Sequence, residues 1–503
     1  MREKKKKEPV PQLTPEEIEA KEKAYKPPFS ISVGSVAFLL VAMALSVFVF
    51  GQHLHITMLL VMGVTMILLV VTGCPYSLIE KGIIEGAKLA IPTILILYAI
   101  GSLMGSWIAG GTVPMIIYWG LKLISPKLFL FTACIACILT AMATGSSWST
   151  IGTVGVALVG VGMGLGVNPA MTAGAIISGA AFGDKMSPLS DTTNVAPAVA
   201  EGDLFDHISA MVVTTGPAIV IALVAYLFVG FRYGGNASDE TLNMILTSLD
   251  DTFRLNILTL IPPAFVIWMA IKKKPSFPTL LAAAFLGAIL AMLLQGQSFE
   301  SILDVMENGF VSDTGFYDID KLLSRGGLMS MNYNAALTAI VIVYGTLVEH
   351  TGILETCLSK MTAMTKTDGR LVLMTVLTSI LINFIVASQY MSIVLTGRLY
   401  VGEYKKKHYL PQCLSRTLED SGTVTSLLIP WNLCGAFAAG ALGIATVTYV
   451  PFAFFNLLCP VIAVIYGFAG KFQWKTGDRP SKRTYDDPAM EVDPLQVNND
   501  VLI

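Results

Sequence analysis

The sequence contains few charged residues. Only 14% of its 503 residues are charged, whereas about a quarter of the residues are charged in a typical soluble domain. Hydrophobic residues make up 54%, and they are concentrated in long runs. The net charge is −2 and no basic face is evident, so nothing indicates a nucleic-acid partner. These features predict an all-α integral membrane protein that lies in the lipid bilayer as one body.

Sequence motifs for metal binding and catalysis are also missing. Cys134 and Cys137 are three positions apart, but no second cysteine pair and no nearby histidine completes a zinc site. The chain contains no HExxH, GxSxG or P-loop sequence. Their absence disfavours a membrane enzyme and a nucleotide-driven pump, and no cofactor is expected.

A polar stretch, SGAAFGDKMSPLSDTTNVAPAVAEGD (178–203), separates apolar runs at roughly 170–182 and 209–231. Irregular backbone at membrane depth cannot face lipid, because its N–H and C=O groups would be unpaired. Pro188 and Pro197 prevent a regular helix and free nearby carbonyl groups. The stretch therefore predicts a broken helix that lines a site, as helix breaks do in secondary transporters.

Two carboxylates flank this break, Asp184 and Asp191, and they are the first candidates for Na⁺ binding and proton exchange. Burial favours the neutral form of a carboxyl group, so Na⁺ and H⁺ can compete for it near neutral pH. The alternative for Asp184 is an ion pair with Lys185 or a helix cap. Hydroxyl or amide oxygens, which could equally cap helices or form turns, would come from four neighbours: Ser187, Ser190, Thr192 and Asn194.

The second half of the chain repeats the order of elements in the first half. The run 128–164 is interrupted at TGSSWST (144–150), and the run 371–400 is interrupted at ASQY (387–390). Each interruption lies near the middle of its run, as the tip of a re-entrant hairpin would. The hairpin-tip candidates are Ser146, Ser147, Ser388 and Gln389.

The charged residues of the two halves also align. Asp184 pairs with Asp420 at an offset of 236 (420 − 184 = 236), which predicts a second break at 419–423 within the run 407–443. Glu419, Asp420 and Thr423 are therefore further candidates for ion binding. The alternative for the two carboxylates is a cytoplasmic helix end paired with Arg416. A channel is disfavoured, because it would more often show repeated subunit pore motifs than two paired halves.

Lysine residues set the predicted orientation, because cytoplasmic loops carry an excess of Lys and Arg. Lys4–Lys7 places the N-terminus inside. The same rule places three later groups inside: Lys272–Lys274, Lys405–Lys407, and Lys471 with Lys475. The first span leaves the cytoplasm, whereas its repeat mate, 254–271, arrives there. The two halves are therefore predicted to be inverted.

Two topologies satisfy this inversion. In one, every apolar run crosses the membrane, which gives seven spans in each half. In the other, each half has about five transmembrane helices, a re-entrant hairpin (128–164 or 371–400) and a broken helix. The second is preferred because the tips lie mid-run. The predicted organisation is a cytoplasmic tail 1–28, a first inverted repeat 29–231, a linker 232–253, a second inverted repeat 254–470 and a cytoplasmic tail 471–503.

The sequence GAAFGDKMSPLSDTTNVAPAVAEGDLFDHI (179–208) resembles the NhaC-type sodium/proton antiporter family. TGSSWST (144–150) and LEDSGTVTSLLIPWN (418–432) extend this resemblance over nearly the whole membrane body. The resemblance implies exchange of external H⁺ for internal Na⁺ across the bacterial cell membrane. It also implies the wider ion-transporter fold with hairpins and unwound helices, which supports the second topology.

Relatives in this family leave the substrate open. Some are thought to exchange small organic anions together with the ions, such as malate against lactate plus Na⁺, and others amino acids. Lys185 and Arg398 could face a substrate carboxylate, but both could equally face the cytoplasm. The expected partners are thus Na⁺, H⁺, the lipid bilayer and, as an alternative, a small organic anion; a homodimer is an open alternative to a monomer.

Overall fold

The structure of the chain is a computed structural model. It describes residues 15–51, 53–235, 239–272, 274–313, 320, 323–362, 364–478 and 481–485. Nine helices in these ranges are long and apolar enough to cross a membrane, or up to eleven if each of two bent helix pairs counts as one span. The prediction of an all-α, multi-pass membrane protein is confirmed.

The helices are numbered in chain order. They are α1 Pro15–Ala24, α2 Phe29–Phe48, α3 Leu54–Val71, α4 Tyr76–Ala109, α5 Thr112–Leu123, α6 Phe129–Thr144, α7 Ser147–Gly164, α8 Pro169–Met186, α9 Asp191–Val199, α10 Leu204–Tyr233, α11 Asp239–Thr252, α12 Ile261–Ile271, α13 Ser276–Gln295, α14 Phe299–Asn308, α15 Asn332–His350, α16 Ile353–Thr362, α17 Asp368–Ile385, α18 Gln389–Lys406, α19 Pro411–Leu418, α20 Val424–Ser426, α21 Leu433–Leu442, α22 Thr446–Tyr449 and α23 Phe454–Ala469.

The chain forms two units, of which the smaller comprises Met1–Lys88 and Val343–Ser359. In this unit Glu22 of α1 forms an ion pair with Lys81, at 2.5 Å between Nζ and Oε2. The predicted solvated tail 1–28 therefore contains a helix whose described side chains are mostly exposed, while residues 1–14 lie outside the described ranges. Tyr76–Ala109 forms one continuous helix, α4, of 34 residues.

The larger unit, Leu89–Ile342 with Lys360–Ile503, contains both predicted hairpins. The tip between α6 and α7 has Gly145 at φ +66°, and the Ser146 side chain then caps α7 by accepting the Ser149 N–H. The tip between α17 and α18 has Ala387 at φ +56°, and Ser388 caps α18 by accepting the Met391 N–H. Both interruptions lie where the sequence predicts them, because helix caps are local features.

The helix break of the first half is also confirmed, since α8 ends at Met186 and α9 begins at Asp191. The second predicted break is wrong in position. Residues Glu419–Thr423 form a π-helical turn that continues α19 into α20. The irregular segment follows at 427–432 and contains Pro430. A π turn keeps its backbone hydrogen bonds, whereas proline lacks an N–H and ends the helix.

Glycine residues bring α8 close to α6. A Cβ atom at Gly179 would collide with the Cys134 carbonyl oxygen, and one at Gly183 would collide with the Ile138 carbonyl oxygen. Small residues four apart allow this close approach between membrane helices. The contact places the last turn of α8 beside the tip between α6 and α7.

Three helix starts recur at one constant spacing. Gln389 follows Ser147, Pro411 follows Pro169, and Leu433 follows Asp191 by the same interval (389 − 147 = 411 − 169 = 433 − 191 = 242). The alignment of the charged residues in the sequence gave an offset of 236, which differs from the interval of 242 between the helix starts. At 242, Asp184 corresponds to Ser426 rather than to Asp420, because Asp420 lies six residues earlier than Ser426 (426 − 420 = 6).

Two predicted connecting segments have structure of their own. The linker 232–253 contains α11. In the tail 471–503, the described residues up to 485 pack on the membrane body. The Leu410 N–H bonds to the Trp474 carbonyl at 2.9 Å, and the Lys482 N–H bonds to Asp206 Oδ2 at 2.6 Å.

Candidate functional site

Asp184 lies in the last turn of α8 and is 5% exposed. Its Oδ2 accepts a hydrogen bond of 2.6 Å from the Ser147 hydroxyl, at the start of α7. The two residues predicted as an ion ligand and a hairpin tip are therefore in direct contact. A hydroxyl that donates to the carboxylate stabilises its charged form in a buried place.

A cavity of about 830 Å³ leads to this carboxylate. Both hairpin tips contribute to its wall, and so do the start of α9 and the end of α12. The predicted residues that line it are Ser146, Ser147, Asp184, Ser190, Asp191, Thr192, Asn194 and Gln389. Lys274 also lines the cavity, as an exposed side chain. The fold thus gathers eight of the sequence candidates around one cavity.

Residues on the first turn of α9 differ in exposure. Asp191 and Asn194 are exposed, whereas Ser190 and Thr192 are buried, with 3.1 Å between their hydroxyl oxygens. The Asn194 amide group donates to the Ser190 carbonyl at 2.6 Å and to that of Pro188 at 3.0 Å. Asp191 therefore lies toward the entrance, and Ser190 and Thr192 lie deeper.

Two hydroxyl groups hold the break itself. Ser187 donates to the Met142 carbonyl at 2.8 Å and accepts the Leu189 N–H, so it ties the break to α6. Thr193 donates to the Lys185 carbonyl at 2.9 Å and so satisfies a carbonyl at the end of α8. Ser187 is absent from the cavity wall, so its observed role is to fix the backbone.

The second hairpin tip also forms a side-chain hydrogen bond to the helix beside it, but the acceptor is an amide oxygen and not a carboxylate. The Gln389 side-chain oxygen accepts hydrogen bonds from the Ser426 hydroxyl at 3.0 Å and from the Cys434 thiol at 3.2 Å. At the interval of 242, Ser426 and Gln389 correspond to Asp184 and Ser147. Trp148 connects the two tips through its indole N–H, which donates to Cys434 Sγ at 3.4 Å.

Two asparagines support the second tip from behind. Asn383 donates to the Gly422 carbonyl at 2.6 Å, within the π turn, as expected for an amide that joins two helices. Asn432 caps α21 and donates to the Asn383 carbonyl at 3.0 Å. The sequence gives no direct signal for the Asn432 contact, because it depends on how the two elements pack.

The second-half carboxylates are fully buried. Asp420 Oδ1 is 2.8 Å from Lys185 Nζ and accepts a hydrogen bond of 2.9 Å from the Thr214 hydroxyl. The two oxygens of Glu419 and the hydroxyl of Thr423 have no hydrogen-bond partner of ordinary geometry within the described ranges. Glu419 is nevertheless close enough to Lys185 and Thr192 to interact with them. These residues form a second polar cluster behind the cavity.

Three further buried polar residues were not among the predicted ion ligands. Lys185 pairs with Asp420 and not with its chain neighbour Asp184. Arg416 lies with Nε 4.0 Å from Asp420 Oδ2 and donates to the Phe472 carbonyl at 2.9 Å. His207 is buried, with Nδ1 2.8 Å from the Ser415 hydroxyl. Only the four-residue spacing of Arg416 and Asp420 was a sequence signal.

Within the described residues no group of three or more His, Cys, Asp or Glu side chains is placed to hold a metal ion. The oxygens around Asp184 come instead from single carboxylates, hydroxyls and an amide. A buried carboxylate at a helix break, reached by a polar cavity in a multi-pass helical body, is typical of a secondary transporter.

The chain belongs to the Na⁺/H⁺ antiporter family, whose model matches residues 18–193 and 179–471. It is 39% identical over 393 residues to the Na⁺/H⁺ antiporter NhaC of Alkalihalophilus pseudofirmus, which covers 78% of this chain and 85% of that relative. The predicted resemblance is confirmed. These relatives indicate a transporter rather than an enzyme.

The names of two other relatives include organic solutes. The malate-2H⁺/Na⁺-lactate antiporter of Bacillus subtilis is 35% identical over 455 residues, covering 90% of this chain and 97% of the relative. The arginine/ornithine antiporter ArcD of Halobacterium salinarum is 37% identical over 411 residues, covering 80% and 83%.

Proposed function

We propose that this protein exchanges Na⁺ for H⁺ across the cell membrane by alternating access and that Asp184 carries the exchanged ion. One observation carries the proposal: Asp184 is a buried carboxylate at a helix break, bonded to a hairpin tip and open to a polar cavity. Membership of the Na⁺/H⁺ antiporter family supports the choice of ions.

The mechanism follows from competition for one carboxylate. A bare charged carboxylate is costly to enclose, whereas either a proton or Na⁺ neutralises it. Each ion therefore permits the change between the two open states, and the empty charged site does not. A bound ion can shift this equilibrium only by its different affinity for the two states. Exchange results because Na⁺ and H⁺ cannot occupy Asp184 together.

The neighbouring oxygens have assigned roles in this proposal. Ser147 and Ser190 lie beside Asp184 and supply hydroxyl oxygens to a bound Na⁺. Thr192 and Gln389 complete the cavity wall. Asp191 is exposed, so it attracts cations to the entrance and is the outer of the two proposed Na⁺ ligands. Hard oxygen ligands of this kind suit a small cation.

The proposed orientation places both tails and the entrance of the cavity in the cytoplasm. Lys405 is 2.7 Å from Glu201, and Lys482 is 3.5 Å from Asp203, so these basic residues meet at one end of the larger unit. Basic residues gather on the cytoplasmic side of membrane proteins. Lys274, at the cavity wall, belongs to another of the groups that the sequence places inside.

The inverted arrangement and the re-entrant hairpins are part of the same proposal. The start of the first hairpin, Lys127, packs against Gly230 near the C-terminal end of α10. The base of the second hairpin contains Lys405, which pairs with Glu201 just before α10 begins. Since α10 has 30 residues, these ends are about 45 Å apart. Hairpins that enter from opposite sides agree with two inverted halves.

An exchange that also carries a small organic solute is the second candidate. The cavity of about 830 Å³ is much larger than Na⁺ requires and falls in the range of pockets for small molecules. The names of two relatives mention malate and lactate or arginine and ornithine. A solute would occupy the space between Asp184 and the entrance.

The test is a pH-gradient assay in inside-out vesicles with the native chain, Asp184→Asn and Asp251→Asn. Asp251 is an exposed carboxylate on α11, outside the cavity wall, and is the matched control. Na⁺ is added alone, and then with malate, lactate or ornithine. We expect Na⁺ alone to dissipate the gradient for the native chain and the control but not for Asp184→Asn.

Each other outcome identifies a specific error. A response that requires an organic solute would support the second candidate. A normal response from Asp184→Asn would show that another residue carries the ion. No response from the native chain to any solute would contradict Na⁺/H⁺ exchange itself.

A further inference from the structure

Lys185 is a cation that is completely removed from water. Its side chain is 0% exposed and lies 2.8 Å from Asp420 Oδ1, which is also 0% exposed. Enclosing two charges costs several kcal/mol each unless they are paired and hydrogen-bonded. The pair joins the end of α8 to the π turn after α19, so it connects a residue beside the proposed transport site to the second half.

Asp420 Oδ1 is crowded with donors. Besides Lys185, the Thr214 hydroxyl donates at 2.9 Å and the Cys459 thiol at 3.2 Å. Its second oxygen lies 4.0 Å from Arg416 Nε, and the same guanidinium donates through Nη1 to the Phe472 carbonyl. Lys185 is therefore the closer of two buried countercharges of this carboxylate.

Acceptor oxygens outnumber donors around the Lys185 ammonium. Four buried oxygens in the π turn have no hydrogen bond of ordinary geometry in the part of the chain that the structure describes: Oε1 and Oε2 of Glu419, Oδ2 of Asp420 and Oγ1 of Thr423. The hydroxyl groups of Thr192 and Thr423 lie near the Glu419 carboxylate. Carboxylate and hydroxyl oxygens are the ligand set that a small hard cation prefers. The Lys185 ammonium lies 2.8 Å from the other oxygen of Asp420 and also interacts with Glu419.

We propose that Lys185 is a tethered cation that occupies a second Na⁺ site, formed by Glu419, Asp420 and Thr423. The native chain then has one exchangeable cation site, at Asp184, because its neighbour in sequence permanently fills the other. An ammonium held by the backbone cannot leave, whereas Na⁺ can. Lys185 is thus a positioning residue that fixes the number of Na⁺ ions, and its removal opens the second site.

The test measures Na⁺-dependent thermal stabilisation of the purified full-length chain, with K⁺ and choline as reference cations. The background is Asp184→Asn, in which the proposed transport site has lost its charge. Adding Lys185→Met should create a rise in Tm that is specific for Na⁺. Adding Lys185→Met and Asp420→Asn together should abolish that rise. This readout does not need exchange activity, so failure of the proposed function is detected separately by the vesicle assay.

The result that overturns the proposal is a folded Asp184→Asn/Lys185→Met chain with equal stability in Na⁺ and K⁺. A chain that folds only when it is purified in Na⁺ supports the proposal. If this chain folds in neither cation, the proposal is tested with the single variant Asp420→Asn. It frees the Lys185 ammonium to oppose a cation at Asp184, so the Na⁺ half-saturation for exchange should rise about tenfold or more. An unchanged half-saturation would contradict the proposal.

Discussion

The two hairpin tips have similar backbone conformations, but they differ in the side chains that form the contact at each tip. In the first half the Ser147 hydroxyl donates to the Asp184 carboxylate, and in the second the Ser426 hydroxyl donates to the Gln389 amide oxygen. The donor and acceptor positions are exchanged between the halves. Only the first contact contains a carboxylate. The repeated scaffold thus supplies two similar places, and single side chains decide which place can bind an exchangeable ion.

The acidic residues of the second half lie elsewhere. Asp420 corresponds to Ser178 at the interval of 242 (420 − 178 = 242) and is neutralised by Lys185. Among the described residues no buried cation forms an ion pair with Asp184, and the cavity reaches this carboxylate. The comparison shows why equal numbers of carboxylates in two halves need not give two equivalent sites.

The largest expected effect comes from breaking the buried pair on one side. Asp420→Leu leaves the Lys185 ammonium buried without its countercharge, so we expect a loss of about 3–5 kcal/mol in stability. Lys185→Met together with Asp420→Leu should recover most of this loss, because neither charge remains. Thermal unfolding in detergent, in Na⁺-free buffer, checks both results. Equal stability of the single and double variants would contradict the pair's role.

Removing the hydroxyl at each tip sharpens the comparison. A hydrogen bond to a charged group contributes about 1.5–3 kcal/mol, so Ser147→Ala should favour the protonated form of Asp184 over the charged one. At fixed pH the Na⁺ half-saturation should then rise roughly ten- to a hundredfold. Ser426→Ala removes a bond to a neutral amide and is the matched control. Similar kinetic effects of the two changes would refute the difference between the tips.

The close contact of α6 with α8 can be tested with two glycines. Gly183→Ala introduces a methyl group against the Ile138 carbonyl, and overpacking of this kind costs about 1–3 kcal/mol. A Cβ at Gly216, in α10, meets nothing within 4 Å. Gly216→Ala should therefore be neutral or stabilising by up to about 1 kcal/mol. Thermal unfolding of both variants, followed by Na⁺ half-saturation for Gly183→Ala, measures how far the tip depends on this packing.

The smallest expected effect concerns the first turns of two helices, α10 in the first half and α22 in the second half. Asp203 caps α10 by accepting the Phe205 and Asp206 N–H groups, whereas Ala445 at the equivalent start of α22 has no capping side chain (445 − 203 = 242). Asp203→Ala makes the two starts alike and should cost about 1 kcal/mol.

This cost should depend on pH. Burial tends to raise the pKa of Asp203, but the Asp206 and Phe205 N–H groups and Lys482 outweigh it, so the pKa lies below its usual range. The cap therefore stabilises the fold above the unfolded-state pKa, and its contribution is lost as pH falls through the lowered value. Unfolding of both chains from neutral to acid pH should show the difference vanish; a constant difference would contradict it.

The sequence by itself determined the local features of this protein. Ser146 and Ser388 were found as hairpin tips and the break before Asp191 was found, because caps and prolines act within a few residues. Apolar run lengths gave the helical membrane body. The position of the second break was missed, since Glu419–Thr423 forms a π turn and Pro430 ends the helix.

Only the tertiary structure decided which charges meet. Lys185 and Asp420 are 235 positions apart and form a pair, whereas the adjacent Asp184 bonds to Ser147. Neither contact follows from local propensity, because both depend on how α8 packs against α6 and the second half. The sequence could therefore name the carboxylates, and the packing of the helices determined which of them is neutralised by lysine and which faces the cavity.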